Sequence, residues 1–204
     1  MKNMQPQPQP PPANPPGTTA IIIVPQLDIR GFADHYRRLY MPETLHRIEP
    51  HITVVCPFVP YARLPQAMPL LKKALASVPP RPVALRGFAV FPDEGILYLR
   101  LANDERVHSL YRAILAEFPE YPAYGGKYGD EWVPHMTVGE FTDRAELEQV
   151  FGQLAGLRLF LGWDVEQVTV KYKAPDGVWH TWAEVPLGGG DRPEGGKAHH
   201  IAHL

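Results

Sequence analysis

The chain has 204 residues, 45% of them hydrophobic and 21% charged, enough for one domain or for two small lobes sharing a core. A formal charge of −2 with no dense run of Lys and Arg excludes counterion-driven binding along an extended duplex, so a nucleic-acid substrate would be gripped locally, at an end or a single nucleotide. A single cysteine, Cys56, excludes an internal disulfide, and with no signal peptide or membrane-length apolar run a cytoplasmic monomer is expected.

Residues 1–17 hold Pro6, Pro8, Pro10, Pro11, Pro12, Pro15 and Pro16 among Gln and Asn, a composition that reads as a disordered tail or, alternatively, a docking peptide. Ala20–Val24 is a buried strand, and Asp28 caps a helix carrying Ile29, Phe32, Tyr36 and Leu39. A strand over His51–Phe58 precedes a helix over Leu64–Val78, whose start Pro69 could delay. Val83–Phe91 and Gly95–Leu101 pair around Pro92-Asp93-Glu94. Asp104 opens a helix through Val107, Leu110, Tyr111, Ile114, Leu115 and Phe118. A strand at His135–Phe141 follows, then a helix through Leu147, Val150, Phe151 and Leu154 that Asp143 and Glu146 open as a capping box. Strands near Asp164–Lys173 and Val178–Val185 turn about Ala174-Pro175-Asp176-Gly177 and close a domain spanning 18–187. Residues 188–204 form a Gly- and His-rich tail whose His199, His200 and His203 could take adventitious metal. The order helix, short strand, helix, strand, strand therefore occurs twice, which predicts two similar lobes about a pseudo-twofold axis.

The two short strands begin alike, Pro50-His51-Ile52-Thr53-Val54 and Pro134-His135-Met136-Thr137-Val138. In a strand, residues i and i+2 share a face, so each His lies beside its own Thr while Ile52 and Met136 turn to the apolar side. With nine histidines in the chain, one His-x-Thr would arise by chance in about one chain in three, and two copies in about one in twenty. Lobes paired about a twofold would bring two imidazoles and two hydroxyls to one groove. Breaking a P–O bond needs a base for the attacking oxygen and an acid for the leaving one, and imidazole can serve as either near neutral pH. Threonine hydroxyls can bond the non-bridging oxygens, so the chemistry calls for no metal and no cofactor.

The duplicated motif resembles that of the two-histidine (2H) phosphoesterase superfamily, which includes 2′-5′ RNA ligase-like proteins and cyclic phosphodiesterases. The resemblance covers roughly residues 20–185 and implies an α+β, bilobal fold, with antiparallel-rich sheets and outer helices around a central groove. It further implies His51, Thr53, His135 and Thr137 as catalytic residues acting on RNA ends or 2′,3′-cyclic nucleotide phosphates. Many RNA-ligase-like members carry an Arg shortly after the second motif; Gly139-Glu140-Phe141 stands there instead, a departure that bears on 2′-phosphate recognition rather than on the histidine chemistry.

Other residues are candidates for substrate binding. The Gly- and aromatic-rich segment 121–132 reads as a mobile flap, with Lys127 reaching a phosphate and Tyr124, Tyr128 or Trp132 stacking on a base, or else as a surface loop packed on itself. Phe58, Phe91 and Tyr98 could line the groove or belong to the core. Lys171 and Lys173 share a face that reads as a solvated edge. Cys56, five residues after His51, should lie on the opposite face, buried and inert. His180-Thr181 lacks the intervening residue, and His35, His46 and His108 read as surface residues. Two competing functions remain, a non-catalytic nucleotide or RNA-end binder and a metal site built on both histidines, the latter short of further ligands at suitable spacing.

Overall fold

The computed structural model describes residues 14–188; most of the Pro-rich tail, 1–13, and of the His-rich tail, 189–204, lies outside the described residues. The elements run β1 (Thr19–Ile23), α1 (Leu27–Tyr40), β2 (Ile52–Val55), α2 (Leu64–Ala76), β3 (Arg81–Phe91), β4 (Ile96–Leu101), α3 (Glu105–Glu117), β5 (His135–Glu140), α4 (Arg144–Leu154), β6 (Leu161–Val165), β7 (Gln167–Lys173) and β8 (Trp179–Pro186). They form an α+β structure of two antiparallel four-stranded sheets, one ordered β2-β1-β7-β8 and the other β5-β4-β3-β6.

β1 is buried throughout because it lies between β2 and β7 and has both faces covered. Ile21 and Ile23 enter the main core, while Ala20 and Ile22 pack with Cys56 in a smaller cluster. The helices are exchanged between the sheets. α1 follows β1 yet packs against β5, and α3 follows β4 yet packs against α2 and β2. Each motif strand is a sheet edge, and β2 and β5 approach one another across the middle of the molecule.

Several sequence expectations are corrected. α1 begins at Leu27 after Gln26, and Asp28 lies in its first turn, where its carboxylate accepts from the Ile29 N–H. α2 starts at Leu64 with Pro65 in its first turn, and Pro69 sits inside the helix on its exposed side, where water can take the freed carbonyl. The single strand expected over 164–173 is two strands in different sheets, with Glu166 at the crossing: β6 pairs with β3, and β7 pairs with β1. The core residues mark the crossing by a slip in phase, from Trp163 and Val165 to Val168 and Val170. Asn14 to Gly17 are laid along β7, with the Lys173 ammonium donating to the Asn14 carbonyl at 2.7 Å and the Gly17 N–H to the Lys173 carbonyl at 2.8 Å. Asp143 caps α4 as expected, accepting from the Ala145 N–H at 2.8 Å. No helix of the described residues is long and apolar enough to cross a membrane.

Candidate active site

Both motif strands carry the same irregularity. On β2, Thr53 faces Ile22 while Val55 faces Ile21, which leaves Val54 as an extra residue. On β5, Thr137 faces Tyr98 while Gly139 faces Leu97, which leaves Val138 extra. Each is a bulge at the valine that ends Pro-His-x-Thr-Val, and both valines are fully buried. The shared valine thus has a structural purpose. It anchors a kink that turns the His-Thr end of the strand away from the pairing beyond it. The bulge also overturns the expected place of Cys56. The extra residue restores it to the face of Thr53, where it packs with Ala20 and Ile22. Its thiol is buried, and burial pushes its pKa up to about 11, so the group is inert.

The two imidazoles are held alike. His51 Nδ1 lies 2.8 Å from the Glu49 carbonyl, and His135 Nδ1 lies 2.8 Å from the Val133 carbonyl, in each case two residues back across the proline. A carbonyl only accepts, so each Nδ1 carries the proton and each Nε2 is left with a free lone pair. The rings are near enough for a charge on His135 to oppose protonation of His51. Their surroundings differ. Burial is the main cause that brings His51 down to about 4, and the Arg37 guanidinium adds to it. His135 is also lowered by burial, but Glu94 pulls in the other direction. The Phe91 and Tyr98 rings flank His135, with centroids 5.0 and 5.2 Å away.

Segment 121–132 crosses between the two motifs as a strap pinned at both ends. On the β2 side the Tyr124 N–H donates to the Cys56 carbonyl at 2.8 Å, and the Tyr124 hydroxyl is hydrogen-bonded to that of Thr53. Tyr124 adopts a left-handed conformation, φ 53°, at a cost of about 1–3 kcal/mol that these bonds offset. On the other side Lys127 pairs with Glu94 at 3.0 Å, and the Tyr128 hydroxyl donates to the same carboxylate. Lys127, expected to reach for a phosphate, is therefore committed to Glu94 here. Beneath the strap is a cavity of about 260 Å³ whose lining includes Phe91, Glu94, Tyr124, Tyr128, Trp132 and His135.

Not every candidate belongs to this cavity. Phe58 is 3% exposed and packs on Phe118 and Tyr121, so it is core. Trp132 borders the cavity, but its ring is packed against His108 and Tyr111 and its indole N–H is buried without a partner. Lys171 is not on a solvated edge. Its side chain is 4% exposed, and its ammonium sits 2.6 and 2.8 Å from the Glu49 carboxylate oxygens. Gly139 leaves no room for a side chain unless its neighbours move, since a Cβ there would meet Phe141 at 2.8 Å and the Tyr40 Cβ at 2.9 Å. The close packing of α1 on β5 thus disfavours an arginine at that position. Among the described residues no group of three or more His, Cys, Asp or Glu side chains is placed to hold a metal ion.

Arg37, Glu49 and Glu94 escape the sequence reading. Arg37 follows Ile29 and Ala33 at helical spacing on the buried stripe of α1, a charge where an apolar residue is expected. Glu49 and Glu94 sit in loops, and no periodicity marks them.

The fold has relatives. A protein of Geobacillus kaustophilus strain HTA426, described as a candidate phosphoesterase, is 30% identical over 175 residues, spanning 83% of this chain and 95% of its own. The crystal structure of TT0787 from Thermus thermophilus superposes with a TM-score of 0.61 at 16% identity, over 86% of this chain and 100% of that one. LigT of E. coli, solved with 3′-AMP, superposes with a TM-score of 0.60 at 15% identity, over 85% and 99% of the two chains. The model of the 2′-5′ RNA ligase superfamily matches residues 25–176, and to that superfamily the chain belongs.

Proposed function

We propose that the protein is a metal-independent phosphodiesterase that acts on RNA ends or 2′,3′-cyclic nucleotide phosphates, with His51 and His135 as the acid–base pair and Thr53 and Thr137 as donors to the phosphoryl oxygens. The observation that carries the reading is the matched pair of Nδ1–carbonyl bonds, which leaves two basic Nε2 atoms free at neighbouring strand edges. One nitrogen takes the proton of the attacking water as the new P–O bond forms. The other gives its proton to the departing sugar oxygen. The cavity beside His135 suits a nucleoside, with the aromatic residues Phe91, Tyr124 and Tyr128 in its lining. LigT has been solved with 3′-AMP, with ATP and with phosphate, in keeping with a nucleotide-sized ligand.

The test is hydrolysis of 2′,3′-cyclic nucleotides in excess chelator, with the isomer of the monophosphate product identified. His51→Ala and His135→Ala should each lower kcat by about 10²–10⁴. Full turnover by both variants would end the proposal. A cyclic nucleotide that binds but is never consumed would favour the non-catalytic binder.

A further inference from the structure

The two motifs are identical at Pro, His, Thr and Val, but the residue two before each histidine differs: Glu49 in one, Val133 in the other. Both supply the carbonyl that holds a ring Nδ1. Val133 is 39% exposed and carries no charge, so its carbonyl is placed by the apolar packing of the neighbouring Trp132 on His108 and Tyr111, with no charged side chain of its own behind it. Around Glu49 the structure builds a hub. The Glu49 carboxylate takes the buried Lys171 ammonium, which reaches it from β7. The preceding Ile48 carbonyl accepts from Arg37 Nη2 at 2.6 Å, and Arg37 Nη1 is paired with Asp34 at 2.8 Å. The Ile48 side chain packs with Ala20, Ile22 and Cys56, and the Arg47 carbonyl accepts from the Trp179 N–H at 2.8 Å. One short peptide is thus fixed by α1, β7 and β8 together, and His51 hangs from its end. Resting on the phosphodiesterase reading above, we propose that Glu49 and Lys171 are positioning residues that fix His51 as the base of the pair, leaving His135 as the acid.

A buried ion pair is a poor source of stability. Taking both charges out of water offsets most of their attraction, and apolar residues of similar size usually do as well. Its presence directly behind one histidine and not the other is explained by the work of that histidine. Near-attack geometry tolerates little error, and misplacement by about 1 Å can cost about 10²-fold in rate. The charges facing His51 favour its neutral form: the cation of Arg37 from α1 and any charge on His135 from β5 oppose protonation, while the negative charge of Glu49 is matched by Lys171. A neutral ring with its proton fixed on Nδ1 can only accept at Nε2. The water proton therefore goes to His51, the water oxygen bonds phosphorus, the ester P–O bond breaks, and the leaving oxygen takes the proton of His135.

The experiment compares Lys171→Met, Lys171→Arg and Glu49→Gln with the wild type. Lys171→Met should lower kcat about 10- to 100-fold with KM changed less than about threefold, and Lys171→Arg should recover most of the loss. The ring proton signals of His51, followed by NMR across pH, should titrate higher in Lys171→Met, where Glu49 is left uncompensated, and lower in Glu49→Gln. Opposite shifts cannot come from general loosening. His135→Ala should lose less activity on a p-nitrophenyl phosphodiester, whose leaving group needs no proton, than on a cyclic nucleotide, whereas His51→Ala should lose as much on both. Unchanged kcat in Lys171→Met, a His51 titration that moves the same way in both variants, or the p-nitrophenyl ester sparing His51→Ala instead would overturn the assignment. The NMR titration needs no substrate, so it tests the hub even if the wild type hydrolyses no phosphodiester, an outcome that would count against the phosphodiesterase reading alone.

Discussion

The pH dependence of kcat/KM tests the site most directly, because it reports the free enzyme and a phosphodiester stays monoanionic throughout the range. His51 falls from an ordinary 6.5 to about 4, a displacement worth roughly 3 kcal/mol against the imidazolium, so at pH 7 only about one ring in 10³ is charged. His135 also lies below 6.5. With His51 as the proposed base and His135 as the proposed acid, the rate requires His51 neutral and His135 protonated. It should rise through pH 4, hold a maximum on the acidic side of neutrality, and fall above the pKa of His135. Taking 6.5 as the upper bound for that group, kcat/KM should drop about tenfold or more between pH 5.5 and pH 7.5. The assay is initial rate on a 2′,3′-cyclic nucleotide at substrate well below KM, with ionic strength held constant. A flat profile, or a faster rate at pH 8 than at pH 5.5, would refute the reasoning. Stability moves with the same groups. A histidine whose folded-state pKa is depressed costs nothing above its unfolded value, so His51 should destabilise the fold progressively as pH falls from about 6.5 to about 4, which chemical denaturation at a series of pH values would record.

Gly139→Ala forces a Cβ to within 2.9 Å of the Tyr40 Cβ and 2.8 Å of the Phe141 ring, so α1 must shift from β5. It should cost about 1–3 kcal/mol and lower Tm by about 3–10 °C in a thermal melt, and an unchanged Tm would contradict the packing. Cys56, buried with a raised pKa, should resist a thiol reagent at pH 8 in native protein and react at once in denaturant. Lys127→Ala removes an exposed ion pair and should change stability by less than about 1 kcal/mol, so any larger effect would have to appear in KM for the nucleotide.

Much of this is legible in the sequence, and for a physical reason. His-x-Thr is local, and strand periodicity alone sets both side chains on one face. The helices follow from apolar spacing, and each is present in the structure. What stays hidden is whatever depends on pairing between distant segments. The bulges at Val54 and Val138 are features of register, and a strand read by itself has none. That is why simple alternation puts Cys56 on the wrong face. Lys171 looks solvated because lysines alternating with Tyr172 usually are, and the carboxylate that buries it lies 122 residues away. The crossing at Glu166 does leave a trace, the change of phase among Trp163, Val165, Val168 and Val170, but a run of alternating apolar residues hides a slip of one.

The exchange of helices between sheets bears on how the site works. α1 packs on β5, the strand that begins with His135, yet its Arg37 bonds the carbonyl of Ile48, next to the Glu49 whose own carbonyl holds the His51 ring. The strap does the reverse, leaving α3, bonding Thr53 and Cys56 on one side and Glu94 on the other. Two braces therefore cross the groove, α1 held by apolar packing on β5 and by Arg37 on the other side, the strap by hydrogen bonds on one side and an ion pair on the other. Opening the groove would break the Arg37–Ile48 bond at one brace and the Lys127–Glu94 pair at the other. Only the second is exposed, and only the second is cheap to break. A nucleotide should therefore enter by displacing the Lys127–Tyr128 end of the strap, while α1 keeps the spacing of the two imidazoles fixed. Acid–base transfer across a phosphate requires that the gap between the proton carriers not change while the ligand comes and goes.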